Sequence, residues 1–173
     1  EASGIPCTLL DVTHGGGAYS SIADAQRFKQ LAFVANELLA AIPDDCDAVL
    51  MVESDLIWPV ETMTTLLKHL KEYPAISPMV MLRRKKWPAD AFYDTFVFRK
   101  DGIRFGHYPP YHACYRPDAP FQVDSAGSVM AIRGDLIKKL SFPDADVYVG
   151  FCRLAYEAGG SVHVDPTVSV FHL

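Results

Sequence analysis

Segments typical of strands and of helices alternate along the first half of the chain. Short apolar runs that indicate buried strands cover Pro6–Val12, Asp47–Val52 and Ala75–Leu82. Between them, apolar residues recur with helical spacing over Ile22–Ile42, and a second helix is predicted to begin near Pro59. The order strand, helix, strand, helix, strand with short connections favours a parallel sheet covered by helices.

The second half of the chain is less regular but still predicts strands. A β-hairpin is expected from Thr95–Arg99 and Ile103–Phe105, and terminal strands from Ser161–Val164 and Thr167–Phe171. No linker or internal repeat is apparent. We therefore predict one α/β domain over residues 1–173, with a mostly parallel central sheet flanked by helices, a small β-hairpin and C-terminal strands.

Charge and composition argue against a nucleic-acid binder. The formal net charge is -5, so no basic field covers the molecule. Arg83-Arg84-Lys85-Lys86 is the one basic cluster, and it is expected to be a solvated turn or a contact to a phosphate or an acidic glycan.

Cysteine usage and hydropathy indicate the compartment. The four cysteines include no CxxC pair, which favours reduced thiols, with one or two disulfides as the alternative for a secreted protein. No apolar run reaches the roughly 20 residues that span a bilayer. We expect a cytoplasmic protein that could associate with a membrane through an acceptor or partner.

Two carboxylates interrupt an otherwise apolar stretch, VLMVESDLIWP, at residues 49–59. Glu53 and Asp55 follow the predicted strand at the edge of the sheet where ligands of such folds usually bind. Where a strand end bends, both can converge on Mg²⁺ or Mn²⁺, which bind through one or two carboxylates and substrate phosphates. The alternative is that Asp55 caps the helix that begins near Pro59.

Four segments, taken in order, resemble the nucleotide-diphospho-sugar glycosyltransferases with the A-type, Rossmann-like fold, and those of family 2 in particular. The segments are RFKQLAFVANELL, VLMVESDLIWPVETMTTLLKHL, VDSAGSVMAIRGDLI and FCRLAYEAGGSVHVDPTVSVFHL. They are similar to the helix before the family's acidic motif, that motif with its strand and helix, the acceptor-side strand-turn-strand, and the closing helix with a terminal histidine. The similarity covers most of the chain.

The resemblance implies a metal site for Mn²⁺ or Mg²⁺. Asp55 would be the main ligand, and His172 would be the third ligand, reaching the metal from the final strand. Glu53 would bind the metal through water or contact the ribose. An imidazole ligand suits Mn²⁺ better than Mg²⁺.

The resemblance also implies donor-binding residues. Asp11 would contact the nucleoside, and Arg27 and Asn36 would face the donor. Trp87 could stack on a sugar or base, and Gly127 would let the sugar approach the backbone.

Three features depart from the family pattern. Glu53 stands where the family usually has Asp, and Val147-Tyr148 stands where inverting members carry an acid. Either Asp124 or Asp146 is then expected to orient or deprotonate the acceptor, unless the enzyme retains configuration. The family's first strand is not evident before Pro6.

The expected function is metal-dependent transfer of a sugar from a nucleotide-diphosphate sugar to an acceptor hydroxyl. The acceptor could be a carbohydrate, a lipid-linked molecule or a protein. The alternatives are a nucleotidyltransferase of the same topology and a non-catalytic nucleotide- or sugar-binding domain. The donor, the stereochemical outcome and the oligomeric state stay open.

Overall fold

A mixed six-stranded sheet with flanking helices forms the centre of the protein. The structure is a computed structural model, and it describes residues 10–12, 18–21, 23–83 and 91–173. Most of the predicted strand Pro6–Val12 and the whole of Trp87 lie outside these residues. No helix in the described part is long and apolar enough to cross a membrane.

The described elements follow the predicted order, except that the strand Leu56–Ile57 was not predicted. The strands are β1 (Ala48–Val52), β2 (Leu56–Ile57), β3 (Ala75–Leu82), β4 (Arg99–Lys100), β5 (Ile103–Arg104), β6 (Phe121–Val123), β7 (Val129–Arg133) and β8 (Val162–His172). The helices are α1 (Ala25–Ala40), α2 (Glu61–His69), α3 (Gly134–Ile137) and α4 (Val147–Glu157). The two predicted terminal strands are thus one continuous strand, β8.

The sheet is mixed, so the prediction of a mostly parallel sheet was wrong. Its strand order is β1-β7-β3-β8-β2, and β6 also pairs with β8. β7 lies between β1 and β3 and runs antiparallel to both, whereas β3 and β8 form the one parallel pair in the described sheet. The reason is that β7, which follows β6 after a short turn, lies between β1 and β3, whereas the prediction assumed that β1 and β3 would be direct neighbours.

Three strands nevertheless share one direction. Because β7 is antiparallel to both β1 and β3, and β8 is parallel to β3, the carboxyl ends of β1, β3 and β8 meet at one edge of the sheet. The antiparallel strands β2 and β7 begin at that edge. Glu53, Asp55, Ser128 and His172 are therefore brought to the same side of the molecule.

Helix α1 begins at Ala25, later than the predicted Ile22, because Asp24 caps it. The Asp24 carboxylate accepts hydrogen bonds from the Ser20 hydroxyl at 2.7 Å and from the backbone N–H of Gln26 at 2.8 Å. These bonds, led by that from the Ser20 hydroxyl, lower the pKa of Asp24 to about 2. An ionised N-cap stabilises the first turn through the exposed amides and the helix dipole.

The β4-β5 hairpin has a turn of the kind that suits the twist of antiparallel strands. Asp101 and Gly102 both have positive φ angles, of 54° and 74°. Two such residues form the primed turn that two-residue hairpin loops prefer, and glycine adopts it without strain. The Asp124 carboxylate accepts a 2.8 Å hydrogen bond from the backbone N–H of Gly102 and so ties this turn to the end of β6.

Gly134 joins β7 to α3 where only a hydrogen atom fits. A Cβ at this position would lie 1.8 Å from the carbonyl oxygen of Cys46. We expect Gly134→Ala to lower the free energy of unfolding by about 3 kcal/mol or more, the upper end of the usual cost of overpacking, because the clash is with backbone atoms. Gly106→Ala is the control, because its Cβ would only reach ordinary contacts at 3.6 and 3.7 Å. Equal denaturant midpoints for the two variants would contradict this account.

Candidate functional site

Asp55 and His172 meet at the edge where β1 and β8 end. The Asp55 Oδ2 lies 3.1 Å from Nε2 of His172. The pairing of β2 with β8 produces this contact, since Leu56 lies opposite His172 and the N–H of Leu173 donates to the Asp55 carbonyl at 3.2 Å. The structure thus brings together two predicted metal ligands that lie far apart in the sequence.

The two partners differ in their surroundings. The Asp55 side chain is 55% exposed, whereas the ring of His172 is buried and stacks on Tyr93 with 3.8 Å between ring centroids. Nδ1 of His172 is buried without a hydrogen-bond partner among the described residues. Stacking, rather than a hydrogen bond at Nδ1, therefore fixes the ring with Nε2 directed at an accessible carboxylate.

A cavity of about 450 Å³ lies next to this pair: neither Asp55 nor His172 lines it, but Tyr93, which stacks on His172, and Glu53 do. Its walls come from α1, the segment after β3, the turn before β7 and the start of α4. The lining residues include Arg27, Glu53, Tyr93, Asp94, Phe96, Ser128, Asp146 and Tyr148. Its volume is within the range of about 300–1,000 Å³ that is usual for small-molecule sites.

Two carboxylates, Glu53 and Asp94, form the floor of the cavity. The Ser128 hydroxyl donates to Asp94 at 3.0 Å, and the hydroxyls of Ser128 and Tyr148 lie close enough to the Glu53 carboxylate to counteract part of the rise in its pKa. Burial, together with the charge of Glu53, raises the pKa of Asp94 to about 7. Burial and the nearby Asp55 also raise the pKa of Glu53. The floor can therefore hold a proton near neutral pH.

Gly127 allows this cluster to pack closely. A Cβ at Gly127 would lie 3.0 Å from Cγ1 of Val97 and 3.4 Å from both Oδ2 of Asp94 and the ring of Tyr148. Ser128 follows with a positive φ of 55° and directs its hydroxyl at Asp94. In this structure Gly127 admits protein groups close to the backbone, and its contact with a sugar stays a prediction.

Asp94 is the main residue that the sequence analysis missed. It is a single acid in the aromatic run AFYDTFVF, without a second acid at a recognisable spacing. Its burial arises because Phe92 and Phe98, on either side, are themselves fully buried. An isolated acid inside an aromatic run was the available signal.

The other predicted residues are divided between the cavity and the rest of the surface. Arg27 and Asp146 line the cavity. Asp124 lies on a separate shallow pocket, where it bonds the hairpin turn and lies 3.8 Å from Lys100. Of the two proposed catalytic acids, the structure therefore places Asp146, and not Asp124, on the main cavity.

Asn36 and Asp11 lie in other environments. The Asn36 carboxamide donates to the carbonyl of Phe142 at 2.9 Å and accepts from its N–H at 2.8 Å, which ties α1 to the segment before α4. Asp11 is exposed, and Trp87 lies outside the described residues. The donor-binding roles of these three residues stay predictions.

The donor atoms at the sheet edge fit a shared cation. Asp55 supplies an accessible oxygen and His172 an imidazole nitrogen, a combination that Mn²⁺ accepts. Glu53 is instead largely withdrawn from solvent, and its burial raises its pKa. Within the described ranges, no group of three or more His, Cys, Asp or Glu side chains is arranged to hold a metal ion. A cation here would need ligands from a substrate, as sites for substrate phosphates do.

Comparison with known proteins extends the description of the fold. No protein-family model and no curated protein matches the chain. Among solved structures, the chain is similar to the crystal structure of A197 from STIV, a viral protein, with a TM-score of 0.50 and 10% sequence identity. The similarity covers 85% of this chain and 67% of that one. At this identity it shows a common α/β fold alone.

The raised pKa of Asp94 predicts that the protein loses stability as the pH rises. Its carboxyl binds more protons in the folded state than in the unfolded state between its ordinary pKa of 3.8 and about 7, so the free energy of unfolding falls through that window. At about 1.36 kcal/mol per pKa unit the loss is up to about 4 kcal/mol.

Asp94→Asn should remove most of this slope and stabilise the protein at pH 8, as measured by urea unfolding between pH 5 and pH 8. The exposed Asp118→Asn controls for the change in net charge. An Asp94→Asn variant with the same slope as the parent protein would show that Asp94 is already ionised throughout this range.

Proposed function

We propose that the chain carries out divalent-cation-dependent transfer of a sugar from a nucleotide-diphosphate sugar, and that its mixed sheet is a variant of the Rossmann-like A-type arrangement. The observation that carries the proposal is the 3.1 Å approach of Asp55 to His172 beside the cavity. These are two of the three side chains that the resemblance predicts at the metal site, the third being Glu53.

Asp55 and His172 would hold Mn²⁺ or Mg²⁺ at the edge of the sheet. When bound, the cation would offset the negative charge that develops on the departing diphosphate. The exposed Asp55 carboxylate leaves space for substrate oxygens next to it. Glu53, which lies near the hydroxyls of Ser128 and Tyr148, would support this edge from inside the protein.

The cavity beside this edge would hold the transferred sugar and the acceptor hydroxyl. Tyr93 and Phe96 provide aromatic surfaces, and Asp146 is an exposed carboxylate on the wall. Asp146 would accept the proton of the acceptor hydroxyl as its oxygen bonds to the sugar carbon and the bond from that carbon to the diphosphate breaks. General-base assistance of this kind typically contributes about 10²–10⁴-fold to a rate.

Asp55→Asn should reduce metal-dependent turnover of the sugar donor at least about 100-fold, since it removes the accessible anionic ligand. The measurement is nucleoside diphosphate release from UDP-, GDP- and CDP-sugars with Mn²⁺. Asp45→Asn is the matched control, because Asp45 is exposed near the opposite end of β1. Unchanged turnover in Asp55→Asn would contradict the proposal, and release of pyrophosphate instead would indicate a nucleotidyltransferase.

The same nucleotide sugars should raise the melting temperature only in the presence of Mn²⁺. At one hundred times the dissociation constant a ligand stabilises the folded state by about 2.7 kcal/mol. Asp55→Asn and His172→Gln should both lose the Mn²⁺-dependent part of the shift. Shifts without turnover in the parent protein would support a non-catalytic binding domain, and a full panel without shifts would contradict nucleotide-sugar binding.

A further inference from the structure

Two arginines face each other across the β4-β5 hairpin. Arg99 and Arg104 are Cα partners in the antiparallel register. Like charges in directly opposite positions destabilise a strand pair. The hairpin therefore retains an arrangement that is unfavourable unless something offsets the two positive charges.

Both guanidinium groups lie against the ring of Phe96. The Arg104 Cζ is 4.6 Å and the Arg99 Cζ 5.6 Å from the ring centroid, within the range of cation–π contacts. The Arg99 Nε also donates to the Phe96 carbonyl at 3.2 Å. Phe96 lines the main cavity and the two arginines do not, so the two positive charges lie next to the cavity through the shared Phe96 ring.

Neither arginine makes an ion pair with an acidic side chain among the described residues, whereas Lys100, Arg133 and Arg153 do. Lys100 lies 3.6 Å from Asp101 and 3.8 Å from Asp124. Arg153 pairs with Glu157 at 2.9 Å, and Arg133 with Asp135 at 3.1 Å. In a chain with net charge -5, two guanidiniums without carboxylate partners on one small hairpin indicate a site for an external anion.

We propose that Arg99 and Arg104 bind a phosphate group of the acceptor substrate next to the cavity. Two guanidiniums match the charge of a phosphate monoester, about -1.5 to -2 near neutral pH, and their planar N–H donors suit its oxygens. The hairpin turn and the Phe96 ring fix both side chains in advance. The identity of the anion as an acceptor rests on the proposed glycosyl transfer, but binding of the phosphate does not.

The first test is titration of inorganic phosphate and of glycerol 3-phosphate, with glycerol as the neutral control. EDTA is present throughout, so that no cation at Asp55 and His172 can recruit phosphate. The double variant R99Q/R104Q should weaken phosphate binding at least tenfold. The matched control R133Q/R153Q changes the net charge by the same two units through arginines already paired with carboxylates, and its affinity should stay within about twofold of the parent.

Outcomes of this titration separate the arginine site from general charge effects. Equal weakening in the two double variants would overturn the proposal, as would phosphate binding in R99Q/R104Q that equals that of the parent. R99K/R104K should bind with intermediate affinity, because it keeps the charge and loses the planar donors. Melting curves of each variant without phosphate check that the fold is intact.

A second set of ligands identifies the source of the phosphate. Vesicles of phosphatidylcholine with 20% phosphatidic acid represent a lipid-linked acceptor, pure phosphatidylcholine vesicles are their control, and glucose 6-phosphate represents a soluble one. The proposal is supported if R99Q/R104Q, but not R133Q/R153Q, loses binding to the phosphatidic acid vesicles or to glucose 6-phosphate. The ligand whose binding is lost identifies the source of the phosphate. The two proposals can also fail separately. If R99Q/R104Q loses phosphate binding while nucleotide sugars cause no Mn²⁺-dependent rise in the melting temperature of the parent protein, the anion site is supported and the proposal of glycosyl transfer is contradicted.

Discussion

Pairing of β3 with β8 at the centre of the sheet determines where the candidate site forms. All eight residues of β3 are buried, so the strand is specified by burial on both faces. Its register with β8 shifts after Pro78, which lacks an N–H and lies opposite Asp165. After the shift, Leu82 of β3 lies opposite His172 of β8, and Leu56 of β2 lies opposite the same residue on the other side of β8. That register brings His172 to Asp55, and a slip of one residue would reverse its side chain to the other face.

Close packing at the turn before β7 determines the electrostatics of the cavity. Gly127 admits Asp94 and Tyr148 near the backbone, and the positive φ of Ser128 aims its hydroxyl at Asp94. An acid held there is costly to ionise, because water is excluded and Glu53 is close. The turn that inserts β7 antiparallel into the sheet is thus also the element that creates a protonated floor. Fold and site chemistry share one cause at this position.

Local patterns in the sequence were sufficient for most elements but not for their arrangement. The apolar runs of β1 and β3 and the spacing in α1 identify these elements within a few residues, since hydrophobic periodicity is a property of the local sequence. The predicted burial holds for β3, whereas β1 is only partly buried. Strand direction depends on long-range pairing, and a fully apolar strand carries no signal that tells parallel from antiparallel neighbours. Likewise, Asp94 is buried by aromatic residues whose positions only the fold determines. That His172 and Asp55 would lie close together was predicted from the resemblance to a family and not from any pattern in the residues themselves.

The distribution of charge explains why, in the proposed reaction, the donor diphosphate near Asp55 would need a metal ion whereas an acceptor phosphate near Arg99 and Arg104 would not. Glu53 and Asp94 have raised pKa values and add little negative charge while they hold their protons, so Asp146 and Asp55 are the acids that an approaching diphosphate meets first. Two unit charges 4 Å apart interact by about 4 kcal/mol at an effective dielectric constant near 20, so an ionised Asp55 would strongly disfavour a diphosphate that arrives without a cation. Next to the Phe96 wall, Arg99 and Arg104 would instead attract an anion. A substrate phosphate could bind there directly, whereas a donor diphosphate could settle near Asp55 only together with its metal ion. The two ends would then distinguish donor from acceptor by electrostatics before any sugar is recognised.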